Sequence, residues 1–104
     1  MNRSIDYQDY LIKSLKDPNE AAGYLNAALD DGDIDGFLEA LRNVVEAHGG
    51  MTKLSEKSSK NRNSLYKTVT STGKPYLRST NEILHALGFH LSVTPDIAAI
   101  QRKA

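Results

Sequence analysis

No cysteine occurs anywhere in the 104 residues of this chain. That excludes disulfide bridges and cysteine-ligated zinc, and it fits a reducing compartment. No apolar run approaches the roughly 20 residues needed to span a bilayer. The opening stretch, MNRSIDYQDY, lacks the apolar core that a secretory signal carries. The expectation is a soluble, cytoplasmic protein with no membrane partner.

The residues of catalysis are equally sparse in usable patterns. Metal-binding histidines on one helix fall three or four apart. His85 and His90 are five apart, with Gly88 between them, and His48 is remote. All three read as surface or helix-end residues. Gly49-Gly50 lacks the rest of any phosphate-binding loop and serves as a helix stop. The carboxylates gather at helix starts, where they complement the dipole, and the serines and threonines of 52–72 have no matching His/Asp arrangement. The expectation is no enzyme, no metal and no cofactor.

The chain does contain a divided charge. Residues 1–50 hold four basic and ten acidic side chains, a net of −6, whereas residues 51–104 hold nine basic and three acidic, a net of +6. Such a division suggests a basic face for a polyanion and an acidic half turned elsewhere. The length suits one domain with a modest core. The periodicity predicts helices and little else. Tyr7, Leu11, Ile12 and Leu15 give a helix from about Asp6 to Lys16. Asp17-Pro18-Asn19-Glu20 is a helix start with a cap, a first-turn proline and a capping-box glutamate. That helix runs to about Leu29, burying Ala21, Leu25, Ala28 and Leu29 with Tyr24 partly covered.

Asp33 caps a third helix to about Ala47. Ile34, Phe37, Leu38, Leu41, Val44, Val45 and His48 make its stripe the strongest in the chain. Gly49-Gly50 ends it. Thr70–Pro75 reads as a turn-rich loop, and a further helix from about Leu77 to Leu87 buries Leu77, Ile83, Leu84 and Leu87. Phe89-His90-Leu91-Ser92-Val93 alternates as a strand does. An isolated strand cannot satisfy its own backbone, so it either pairs with another copy or is no strand. The domain is expected over residues 1–94, with 95–104 a flexible tail.

The stretch from 51 to 69 gathers much of the basic charge. Leu54 lies in a first short helix, a polar turn falls at 58–60, and Asn61 is a good cap for a second helix. Leu65 and Val69 there face one way, leaving Arg62, Asn63 and Lys67 off the apolar line. Two short helices, a tight turn and polar residues near the second N-terminus describe a helix-turn-helix. The two packed helices of an ordinary helical hairpin share this description. The clustering of positive charge on this stretch favours DNA.

Several blocks together resemble the probable addiction-module antidote family. They are DPNEAAGYLNAAL at 17–29, ALRNV at 40–44, GGM at 49–51, NRNSLYK at 61–67 and HALGFHLSV at 85–93. The resemblance spans about Asp6 to Val93. It implies an all-α fold of five or six helices with a phage-repressor-like helix-turn-helix of the XRE type. It also implies an antitoxin that neutralises a small cognate toxin and represses its own operon, commonly as a dimer.

Carried over by position, Asn61 caps the recognition helix, Arg62, Asn63 and Lys67 face double-stranded operator DNA, and Ser64 lies near the phosphate backbone. Tyr66 matches the family's tyrosine, partly packed with its hydroxyl exposed. Lys53 and Lys74 are expected to contact phosphates irrespective of sequence. The chain departs from the family at Ser55 for alanine, Ser59 for glycine and Lys60 for an apolar residue. A left-handed Ser59 would cost on the order of 1 kcal/mol.

The homodimer is expected to form through Phe89, Leu91 and Val93. The competing arrangement lays 89–93 across its own core. The alternative function is a protein-interaction module that binds a toxin through the acidic N-terminal half and barely touches DNA.

Overall fold

The computed structural model describes residues 3–72 and 74–103. Met1, Asn2, Gly73 and Ala104, which fall at the ends of the expected domain and tail and in the expected loop, lie outside the described residues. Seven helices follow in order: α1 (Arg3–Ser14), α2 (Pro18–Asp30), α3 (Ile34–Ala47), α4 (Gly50–Ser58), α5 (Arg62–Thr70), α6 (Leu77–Ala86) and α7 (Ile97–Lys103). No strand occurs among the described residues. The fold is all-α, with one helix more than expected.

The architecture is built around α3. Its stripe buries Phe37, Leu38, Ala40, Leu41, Val44, Val45 and Ala47, and α1, α2, α4 and α5 all pack on it. A helix apolar over this much of its circumference must be wrapped on several sides, since each uncovered face would leave hydrocarbon in water. Asp33 starts it by accepting from the Gly36 amide at 3.0 Å. Asp17 does the same for α2, accepting from the Asn19 amide at 2.8 Å.

The three N-terminal helices are also joined by one polar chain. Asn43 donates to the Tyr24 hydroxyl at 2.9 Å and accepts from Gln8 at 3.1 Å. At the far end of α3, His48 Nε2 donates to the Leu15 carbonyl at 2.9 Å, and its ring meets Phe89 edge-on, centroids 6.4 Å apart. His48 is therefore a structural helix-end residue. Gly49 and Gly50 then take φ of 109° and 81°, a reversal that turns α4 back onto α3.

Several expectations of burial fail at helix ends. Leu77 is 73% exposed, Ile34 41% and Leu29 40%. Leu77 and Ile34 are the first residues of α6 and α3. Leu29 is next to last in α2, where the chain is already turning away from the core. Periodicity assigns a face but not the point along the axis where packing stops.

The strand expected at 89–93 is likewise corrected. Gly88, at φ 94°, closes α6 in a Schellman motif: its amide donates to the His85 carbonyl at 3.0 Å, and the Phe89 amide donates to the Leu84 carbonyl at 2.8 Å. The first amide of the would-be strand is thus spent on the helix, and Phe89 turns onto the core. Beyond it Leu91 is partly exposed and Val93 fully so. Residues 97–103 of the expected tail form α7. Asp96 caps it by accepting from the Ala99 amide at 3.1 Å.

Candidate nucleic-acid interface

The stretch 51–69 folds as α4, a turn at Ser59, Lys60 and Asn61, and α5. Leu54 anchors α4, while Leu65 and Val69 anchor α5 against α3, α4 and α6. Asn61 begins α5 by accepting from the Ser64 amide at 2.8 Å. With the apolar line fixed inward, the other residues of α5 are assigned by its pitch. Arg62 and Asn63 stand exposed in the first turn. Tyr66, 60% exposed, flanks a groove shared with Leu38 and Arg42 of α3. Ser64 and Lys67 flank the opposite groove, toward Ser79 and Glu82 of α6. Tyr66 thus lines that groove while most of its surface stays exposed.

Lys53 and Lys74 are exposed but stand apart from both grooves. Lys53 lies on α4 over Gly49, where an added methyl group would come within 2.6 Å of its Cδ. Lys74 lies in the segment leading to α6. The arrangement thus brings Asn61, Arg62, Asn63, Ser64, Tyr66 and Lys67 together on α5 and its cap, with Lys53 on α4 and Lys74 in the segment between α5 and α6.

The three departures noted in the turn are connected to one another. Ser59 adopts φ 60° and ψ 21°, the left-handed region. The Ser55 hydroxyl donates across the turn to the Lys60 carbonyl. The Lys60 amide donates to Ser58 Oγ at 3.3 Å, and its ammonium pairs with Glu82 at 3.0 Å. Serine, where glycine would be relaxed, leaves strain that these contacts offset. Ser59→Gly is therefore expected to raise stability by about 1 kcal/mol, read as a higher denaturation midpoint in urea with an unchanged slope.

Side chains cover carbonyls in the last turns of α5, of which only the final four lack a partner within the helix. Arg42 reaches from α3 to donate to the Val69 carbonyl at 2.6 Å, and the hydroxyls of Thr70 and Ser71 donate to the carbonyls of Tyr66 and Thr68 at 2.6 and 2.8 Å. The guanidinium also complements the negative helix end. Neither Arg42 nor Glu82 was singled out as a site residue from sequence. Arg42 is 27 positions from its acceptor and Glu82 22 positions from its partner, and no local pattern reports contacts across such separations.

What the geometry offers is a rigidly held helix with a polar, basic outer face. No helix among the described residues is long and apolar enough to cross a membrane. Comparison with curated proteins and with solved structures gives no match. A family model described as "Probable addiction module antidote protein" matches residues 3–95, which takes in α1 to α6 and the segment after them. The chain belongs to the family of probable addiction-module antidote proteins.

Proposed function

We propose that this protein is a cytoplasmic antitoxin that binds operator DNA through α5, represses its own operon, neutralises a small cognate toxin, and has no enzymatic activity. The observation that carries the DNA reading is the disposition of α5. Leu65 and Val69 are buried while Arg62 and Asn63 stand exposed at its capped N-terminus. That is how the second helix of a helix-turn-helix of the phage-repressor (XRE) type presents polar side chains to a major groove. Family membership supplies the toxin as the second partner.

The two partners fit the two halves of the charge. On α1, Tyr7 and Tyr10 are 65% and 72% exposed beside the exposed Asp6 and Asp9. Aromatic side chains in an acidic setting suit a basic protein surface, so the N-terminal half is the favoured toxin side. The same observation supports the second reading, an antidote that acts through protein contacts alone.

The test is a titration of the protein on the DNA immediately upstream of its gene, repeated over salt. Log affinity should fall linearly with log salt, with a slope near −0.9 for each phosphate contacted. An affinity equal to that for a scrambled duplex at every salt would favour the second reading.

A repressor of this size gains specificity by reading two half-sites as a dimer. The exposed Leu91 and Val93 are the proposed contacts, with Phe89 supporting them from the core side. Leu91→Asp is expected to shift the protein to monomers in sedimentation at tens of micromolar, a range chosen because many functional dimers form in or below it, while its helical circular dichroism is retained. A wild-type protein already monomeric there would remove the dimer from the account.

A further inference from the structure

We infer that the groove between α5 and α6 is a seat for a backbone phosphate of duplex DNA, and that Glu82 restrains it by holding Lys60. Lys60, Ser64, Lys67, Thr68, Ser79 and Glu82 line this groove. Two ammonium groups and the hydroxyls of Ser64 and Ser79 at one concavity match the donors a phosphodiester accepts from, while the Thr68 hydroxyl already donates to the Ser64 carbonyl at 3.1 Å. The inference rests on the DNA reading of α5, because Ser64 and Lys67 belong to that helix.

Glu82 is the discordant member. Its carboxylate lies 3.0 Å from the Lys60 ammonium, with the two side chains 38% and 48% exposed. A carboxylate beside a phosphate seat repels the ligand and occupies one of its donors. A pair this open to water is held weakly, so an arriving phosphate can take Lys60 from it. Every duplex pays the same electrostatic penalty, whatever its sequence. Glu82 therefore lowers affinity for all DNA and leaves base contacts from the first turn of α5 to decide where the protein stays. Neither Glu82 nor Ser79 carries this role in the reading of α5 alone.

The probe is a random-sequence duplex, titrated with the full-length protein by fluorescence anisotropy over a range of salt. Glu82→Gln should tighten binding about threefold to tenfold at low salt and steepen the salt slope by up to about 0.9, one further phosphate contact. Lys60→Gln should weaken binding, and adding Glu82→Gln to it should then have a much smaller effect than in the wild type. Glu82→Ser, as a second variant, must move affinity in the same direction as Glu82→Gln, and melting curves establish that each variant is folded.

Wild-type binding with Glu82→Gln unchanged in both affinity and slope would overturn the role of Glu82 while leaving the DNA reading intact. An equal effect of Glu82→Gln with and without Lys60 would overturn the pairing as its mechanism. A wild-type protein with no affinity for any duplex at low salt would instead remove the DNA reading, and this inference with it.

Discussion

Leu41→Ala is expected to lower the stability of the fold by about 2–5 kcal/mol. Leu41 is fully buried, at the middle of the helix on which α1, α2, α4 and α5 all pack. Truncating it removes the transfer free energy of the lost methyl groups and leaves a cavity that four separate elements would have to close together. The neighbouring Val44 and Val45 are buried as deeply and branch at Cβ, so they have little rotamer freedom with which to fill it. For a domain of this size each kilocalorie shifts the melting temperature by roughly 4–8 °C. The variant should therefore melt at least about 8 °C below wild type, a large fraction of total domain stability. An unchanged melt would mean that α3 is not the centre of the core.

Arg62→Ala is expected to cost about 1–3 kcal/mol at the operator and to blur sequence preference. The side chain is exposed at the first position of α5, where a recognition helix reaches base edges. Its loss should leave the melting temperature nearly unchanged, which separates it from the core substitution. Lys53→Ala and Lys74→Ala should behave differently. Both stand apart from the grooves beside α5, so each should weaken binding to all sequences alike and reduce the salt slope by about 0.9. The measurement is a gel-shift titration of each variant on the upstream duplex and on a scrambled one. Equal discrimination by Arg62→Ala and wild type would mean that a different surface reads the bases.

Much of this arrangement is legible in the residues themselves. The stripe of α3 names the core, and Asp17, Asp33 and Asn61 mark helix starts because their side chains have only local amides to satisfy. The outward set on α5 follows from Leu65 and Val69 alone, because four residues make slightly more than one turn and so bring both to one face. The likeness of NRNSLYK and the blocks around it to the antidote family is matched by the family assignment over 3–95. What could not be read depends on contacts between distant residues. Phe89 to Val93 alternates like a strand, yet the Schellman cap of α6 uses the Phe89 amide before a ladder could. Ile97 and Ile100 sit in a short capped helix, still 58% and 56% exposed, and periodicity over so few residues is weak. From the sequence, Lys60 is a departure from the family's apolar residue that adds a positive charge beside α5. It is paired with a glutamate one helix away, which changes its meaning for binding.

The account turns on α5 being the surface that meets DNA, and amide chemical-shift mapping of the wild-type protein against its own upstream duplex tests that most directly. The largest perturbations should fall on residues 61–67, centred on Arg62 and Asn63, with smaller ones at Lys53 and Lys74 and little change along the acidic α1 and α2. Perturbations confined to α1 and α2, or none with the duplex in excess over the protein at low salt, would contradict it.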